Sequence, residues 1–432
     1  MKLVGERTVI GRNMPKKLSD WYIFILIVLF FAVRDIPVLL YAGQVIAYVG
    51  IVWRYKQVNR KYTLIWLMFI AWSALTGLWV SNEEHYLKFM REITQVGLLC
   101  VLFSCCCKSE QDIDKVIKYI TVASLIMILY FMIKTPISDW HQAFHSTASV
   151  ASSEDRFGRS IGYHPNSFGV LCSLECCCWL YQWRRYSKKS ALAWSLILFV
   201  LLLFTKSRTG VVFFGIIIVI YLAIEKKSSR KALVRISVIS IGVLAAILAL
   251  LYIQPLYKLI GYRIAGALSF ITGSGTVDAS VNGRNILMAA GKAIIRDHPI
   301  IGVGAGNYSN TAYASYGIWR DVFSHSNYIE IWADLGLIGI LIYYIPRFWC
   351  LIHLFRKRKI QKNRESIILT SFLIAVMTAV LVVDYITISY SLEATQLFFT
   401  LSFAYSLKQN KSQESETWKI NRETVPINTS KI

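Results

Sequence analysis

The sequence predicts an all-α polytopic membrane protein that crosses the bilayer about twelve times and carries one large extracytoplasmic loop containing short helices. Three observations lead there. Of 432 residues, 55% are hydrophobic and 14% aromatic but only 17% charged, whereas a soluble domain carries nearer a quarter charged. Apolar windows long enough to enter a hydrocarbon layer recur along the whole chain. Between them, basic clusters return at every second junction, the pattern that marks cytoplasmic loops.

The windows fall near Trp21–Val33, Pro37–Trp53, Tyr62–Val80, Ile93–Cys107, Val116–Ile133, Ile161–Trp183, Leu192–Phe204, Thr209–Ile224, Ile236–Ile253, Ser326–Pro346, Ile367–Val383 and Tyr385–Leu407. The first is followed by Arg34 and Asp35 and then by another apolar run, with no small-residue cleavage site. It is therefore expected to stay as an anchor. If Lys2, Arg7, Arg12, Lys16 and Lys17 are cytoplasmic, the clusters Arg54/Lys56/Arg60/Lys61, Arg184/Arg185/Lys188/Lys189, Lys226 to Arg235 and Arg356 to Arg364 fall on the same side, and so do both termini. The net charge of +22 is thus spread over short loops, which points to topology and away from nucleic acid.

The nine cysteines, Cys100, Cys105 to Cys107, Cys172, Cys176 to Cys178 and Cys350, lie in apolar windows or just past their inner ends, so no disulfide is expected. Adjacent residues on a helix diverge and no paired CxxC is present, which favours packing over metal binding. The stretch after Leu407 is polar and mixed in charge, as expected of a disordered cytoplasmic tail.

Two outer loops are long, 134–160 and 254–325. In the second, Arg284 to Asp297 has helical periodicity, with Ile286, Ala290, Ala293 and Ile294 on one stripe, and Pro299 ends it. A Gly302-x-Gly304-x-Gly306 turn and a Tyr-rich segment follow. Ionisable residues beside hydrocarbon are costly, so a cluster of them at a membrane mouth is a functional candidate.

Lys206-Ser207-Arg208 at a helix start, Gly283-Arg284, His298-Pro299-Ile300-Ile301-Gly302-Val303-Gly304-Ala305-Gly306, His325-Ser326-Asn327-Tyr328 and Leu335-Gly336-Leu337-Ile338-Gly339 occur in this order on one predicted face. Together they resemble the O-antigen ligase/polymerase superfamily, with His164-Pro165-Asn166 a further point of likeness. The resemblance spans roughly residues 192–346. It divides the chain into N-terminal helices (1–190), a ligase-like core (191–346) holding the 254–325 loop, C-terminal helices (347–407) and the tail (408–432).

The resemblance implies a multi-pass enzyme of a bacterial cytoplasmic (inner) membrane that transfers a polyprenyl-pyrophosphate-linked glycan outside the cytoplasm, in surface, capsular or O-antigen polysaccharide biosynthesis. A polymerase is favoured over a ligase acting on a lipid A-core, and a flippase and chain-length regulator of the same pathway are the implied partners. Guanidinium forks suit a leaving pyrophosphate, which makes Arg208 and Arg284 catalytic candidates; the alternatives are a snorkelling and a solvated arginine. His325 is the candidate base, since imidazole titrates near neutrality. Lys206, His298, Gly302, Gly304, Gly306 and Asn327 are candidate substrate contacts. The glycine turn would serve as an N–H nest for phosphate or as a hinge, and His298 could simply close its helix. No metal or cofactor is expected: the one DxD, Asp112-Ile113-Asp114, falls in a predicted cytoplasmic loop. A transporter of the same lipids is the alternative of another class, motivated by Glu175, Asp334, Asp384 and Glu393 in or beside apolar windows.

Overall fold

The computed structural model describes residues 16–32, 36–53, 58–145, 157–224, 248–266, 279–319 and 321–407, with isolated positions between 234 and 245. The first fifteen residues, the 225–233 basic loop, seven of the eighteen positions of the predicted Ile236–Ile253 helix, segments 146–156 and 267–278, and the tail from 408 lie outside the described residues. All described regular structure is helical. The elements are α1 (Lys16–Phe31), α2 (Pro37–Trp53), α3 (Arg60–Leu75), α4 (Glu83–Cys106), α5 (Glu110–Lys134), α6 (Ile137–His145), α7 (Pro165–Tyr186), α8 (Ser190–Phe204), α9 (Arg208–Ile224), α10 (Ala279–Asp297), α11 (Tyr308–Tyr316), α12 (Asn327–Ile360), α13 (Arg364–Val383) and α14 (Glu393–Ser406).

Five helical stretches, Arg60–Leu78, α4, α5, α12 and α13, are long and apolar enough to cross a membrane, and Trp21–Phe31, Val38–Gly50, α8 and α9 are shorter apolar helices. One large cluster of buried side chains joins α1 to α5, α7 to α9 and α12 to α14. Outward faces are apolar too: Leu64 and Leu67 on α3, Leu196 on α8 and Ile345 on α12 are each more than half exposed. In water such patches would invite aggregation; facing lipid they cost nothing.

Local sequence explains where helices begin. The Asn59 side chain accepts the Tyr62 N–H and that of Asn82 the His85 N–H, while Ser109 and Asp112 form a reciprocal capping box at α5. The Asn82 cap makes α4 start ten residues before the predicted Ile93, adding nearly three turns with Glu83 and Glu84 at the positive end.

The polar ends of the helices segregate. At one end, Arg185 Nε lies 3.2 Å from Asp114 Oδ1 and its other nitrogens reach Glu110 and Glu365. Tyr181 and Tyr186 donate to the Asp114 carboxylate, and Arg358 donates to the Ile224 carbonyl. Both aspartates of the DxD are therefore used, Asp112 as a cap and Asp114 as an ion-pair node. At the opposite end the 279–326 segment folds over Thr76 to His85 and 384–390: Ala305 N–H donates to Thr76 Oγ1, Ser81 to Asn307, and Asn327 N–H to the Asp384 carbonyl.

α12 differs most from expectation. It continues past Pro346 to Ile360, and at about 51 Å it exceeds the ~30 Å hydrocarbon layer. Its helical path breaks at Gly336 (φ 67°, ψ −170°). The break orphans backbone groups on both sides, and the loop after α10 satisfies them. Val303 and Gly304 N–H donate to the Ala333 and Asp334 carbonyls, while Leu337 and Ile338 N–H donate to the Pro299 and Ile300 carbonyls. A Cβ on Gly336 would lie 2.1 Å from the Ile300 oxygen, and one on Gly302 2.4 Å from the Asp334 oxygen.

On α10 the buried stripe is Leu287, Ala290, Gly291 and Ile294, one step round from the predicted one, and Ile286 is exposed. Gly291 sets this register, because an added Cβ would lie 2.2 Å from Ile329; a hydropathy pattern has no weight for a glycine used as a contact.

Gly336→Ala is expected to unseat the loop. The backbone strain alone costs about 1–3 kcal/mol, before the overlap with Ile300. Thermal unfolding of purified protein in detergent should fall by at least ~5 °C, whereas Gly215→Ala, where nothing lies within 4 Å of the new Cβ, should leave it unchanged or raised. Equal melting in both would show that the break does not hold the loop.

Candidate functional site

The site begins where α8 turns into α9. The Thr205 hydroxyl donates to the Leu202 carbonyl and Lys206 takes a left-handed conformation (φ 50°), so the chain reverses at once. Ser207 Oγ accepts the Gly210 N–H and donates to Asn166 Oδ1 at 3.3 Å, tying the start of α9 to the start of α7. Gly169 and Gly210 allow the approach: a Cβ on Gly210 would sit 2.7 Å from the Gly169 carbonyl carbon. Ser173 Oγ then donates to the Gly210 carbonyl. Small residues facing each other are how helices come close inside a membrane.

Two helix N-termini therefore sit side by side with their positive ends toward one mouth. His164 caps α7, with Nδ1 accepting the Asn166 N–H at 3.2 Å. Arg208 opens α9 half-buried, and its Nη1 donates to the Arg263 carbonyl at 3.0 Å. Arg263 Nη1 donates in return to the Lys206 carbonyl at 2.7 Å. This reciprocal clasp brings a guanidinium that no sequence pattern singled out into the same mouth.

His325 enters from the other side. It is half-buried in the left-handed region (φ 59°) between two fully buried serines. Ser324 N–H donates to Glu330 Oε2 at 2.7 Å and Ser324 Oγ to the Ser326 carbonyl at 2.8 Å. A non-glycine residue held there costs about 1–3 kcal/mol, which these bonds offset, so the backbone at His325 is held in place. Burial first, then the positive charges of Arg284 and His164, push its pKa down to about 4. Those two charges act on His325 from α10 and from the start of α7, so three segments remote in sequence share one electrostatic neighbourhood. Through the Asn166–Ser207 link, Arg208 belongs to the same end of the bundle.

The remaining candidates have other tasks. His298 is exposed, and its N–H closes α10 on the Ile294 carbonyl at 2.8 Å; fourteen residues from Arg284 along a helix is about 21 Å, too far to share a ligand atom. The N–H groups of the glycine turn are used within the protein: Gly306 and Tyr308 donate to the Asp334 carboxylate at 2.9 and 2.7 Å, and Ala305 to Thr76. The nest therefore cradles the chain's own carboxylate. Gly304 and Gly306 pack on Val80 and the His85 backbone. Asn327 is a fully buried hub, its Oδ1 accepting the Ser389 and Tyr390 N–H groups and its Nδ2 donating to Tyr344. Lys206 is fully buried beneath the mouth.

The sequence pattern of the O-antigen ligase family matches residues 193–344, just over a third of the chain and the part that contributes Arg208, Arg284 and His325. No curated protein matches the chain. The family match supports placing it in the O-antigen ligase/polymerase superfamily.

The cationic field at His325 can be measured directly. In a histidine-labelled NMR titration of the purified protein, His325 should titrate near pH 4 and stay neutral at pH 7, because burial and then neighbouring positive charge, that of Arg284 first, disfavour its charged form. Arg284→Gln removes one of those charges and should move the midpoint upward. An unmoved midpoint would place Arg284 outside the neighbourhood.

Proposed function

We propose that this protein is a membrane glycosyltransferase that moves a glycan from a polyprenyl pyrophosphate to an acceptor hydroxyl on the outer face of a bacterial cytoplasmic membrane, most simply as a polysaccharide polymerase. What supports it is the shared electrostatic neighbourhood of His325, Arg284 and His164, and the Asn166–Ser207 link that sets the N-terminus of α9, with Arg208, beside that of α7. Pyrophosphate is a concentrated anion, and guanidinium groups over helix N-termini are the chemistry that receives it.

The donor lipid would reach the mouth sideways between helices. The acceptor oxygen attacks the anomeric carbon as its proton passes to His325, and the C1–O bond to pyrophosphate breaks with both electrons staying on the leaving oxygen. The new charge forms against Arg208 and Arg284, where stabilisation lowers the barrier most. The proton returns from the imidazolium to solvent or to the departing phosphate. No ATP is consumed, because the pyrophosphate ester is already activated.

The depressed pKa of His325 fits this sequence. In the empty site burial, and after it the Arg284 charge, keep the imidazole neutral and therefore able to accept a proton. A bound pyrophosphate offsets that charge and raises the basicity of the ring when an acceptor arrives. The base is thus strengthened by its own substrate.

One observation favours a transporter of the same lipids. Glu175 is fully buried on α7 and both of its carboxylate oxygens lack a hydrogen-bond partner among the described residues, as an ion-coupled carrier could use. Purified protein with a synthetic polyprenyl-pyrophosphate oligosaccharide separates the two. A glycosidic product formed without ATP, added metal or an ion gradient supports transfer; gradient-dependent lipid movement without product supports transport.

In that assay Arg284→Lys keeps the charge but loses the fork, and kcat should fall about 10²–10³-fold. Unchanged turnover would remove Arg284 from the mechanism. His325→Ala should lose about 10²–10⁴ in kcat with donor binding intact. Loss of binding as well would make His325 a donor ligand and not the base.

A further inference from the structure

A second polar cavity, of about 360 Å³, opens on the same end of the bundle. Its wall is the outer extension of α4, which turns Glu84, Lys88 and Glu92, spaced four residues apart, onto one face. Its floor is aromatic: Phe89 and Tyr390 are 3% and 4% exposed with ring centroids 5.0 Å apart. Asp321, Phe323 and the buried Glu330 complete it from the segment that leads into α12. The Tyr390 hydroxyl makes no hydrogen bond among the described residues although its backbone N–H is held by Asn327. A nine-tenths-buried hydroxyl left open on a cavity is poised for a ligand.

The charges around this cavity oppose those of the other mouth. Four carboxylates, Glu84, Glu92, Asp321 and Glu330, outnumber Lys88 and His85, the latter paired with Asp321 at 2.9 Å, whereas Arg208, Arg263 and Lys206 gather at the first. His325 lies two residues beyond Phe323, so the segment that lines this cavity through Asp321, Val322 and Phe323 also carries His325. Among the described residues no three carboxylate, histidine or cysteine side chains converge as metal ligands do; the carboxylates are spread around a wall. That spacing, over an aromatic floor, suits a sugar ring, whose hydroxyls donate to carboxylates and whose C–H face lies on aromatic carbon. The volume falls at the lower end of small-molecule sites.

We propose that this cavity binds the acceptor's sugar, and that it selects an uncharged or amine-bearing ring and repels uronates and phosphates. The proposal rests on the transferase function above, since it supplies that reaction's second substrate. The acidic lining turns the donor's pyrophosphate away from the acceptor position, and the basic mouth retains it.

The test uses full-length protein in detergent on immobilised oligosaccharides, whose dense display raises weak affinities. Three glycan sets serve as probes, one containing N-acetylglucosamine, one glucosamine and one glucuronate. Binding of a polyprenyl pyrophosphate is measured in parallel. Retention is expected on the first two sets, and it should drop at least fivefold in Glu92→Gln and Tyr390→Phe and less in the rim variant Glu84→Gln, with polyprenyl pyrophosphate binding changed less than twofold. Glu84 is exposed, so its variant reports on the cavity with no burden on folding. No retained glycan, equal or stronger retention of glucuronate glycans, or retention blind to all three variants would overturn the proposal. Failure of wild-type protein to bind polyprenyl pyrophosphate while glycans are retained would instead overturn the donor assignment and leave the cavity in place.

Discussion

A helix broken inside a membrane protein must have its orphaned backbone groups met by other backbone, because hydrocarbon offers no partner. In this protein the break in α12 at Gly336 is closed by residues 299–304, and the rest of the outer end takes its position from that closure. The same loop fixes the end of α10 and hence the placement of Arg284. The N-terminal part of α12 that it grips begins directly after His325. Asp334, at the break, holds the next turn of the loop through its carboxylate. Two motifs far apart in sequence are thus halves of one joint, and their glycines are required by close approach.

From this joint follows a division of charge. The 321–326 segment is anchored below by Asn327 and the 384–390 turn and above by Glu330, so it is held in place. Its His325 feels the charge of Arg284 on α10, and its Asp321 and Phe323 line the aromatic-floored cavity with the carboxylates of α4. A group-transfer enzyme with an anionic donor and a hydroxyl acceptor needs the two to meet at one base and nowhere else. In the proposed reaction His325, strained and half-buried, is that meeting point.

Much of this architecture was legible in the sequence. Apolar windows and alternating basic clusters located the helices, and Arg284, His325 and Arg208 were singled out by chemistry at a membrane mouth. The outer turns of α4 were missed because hydropathy windows discard charged turns; Asn82 followed by two glutamates was the available signal. The glycine turn suggested a phosphate nest because its true anion, Asp334, lies 28 residues away and only the fold brings it there. His164 carried little weight as the start of an apolar segment, and Arg263 belongs to no pattern at all. Its role depends on a carbonyl across the mouth, which sequence periodicity does not encode.

The most direct measurement is an experimental structure of the protein in lipid nanodiscs with a polyprenyl pyrophosphate bound. The account predicts phosphate density at the mouth formed by Arg208 and Arg284, with His325 beside the sugar-bearing oxygen and the lipid tail leaving between helices. Phosphate density at the Gly302–Gly306 turn, or at the opposite end of the bundle near Arg185, would contradict it.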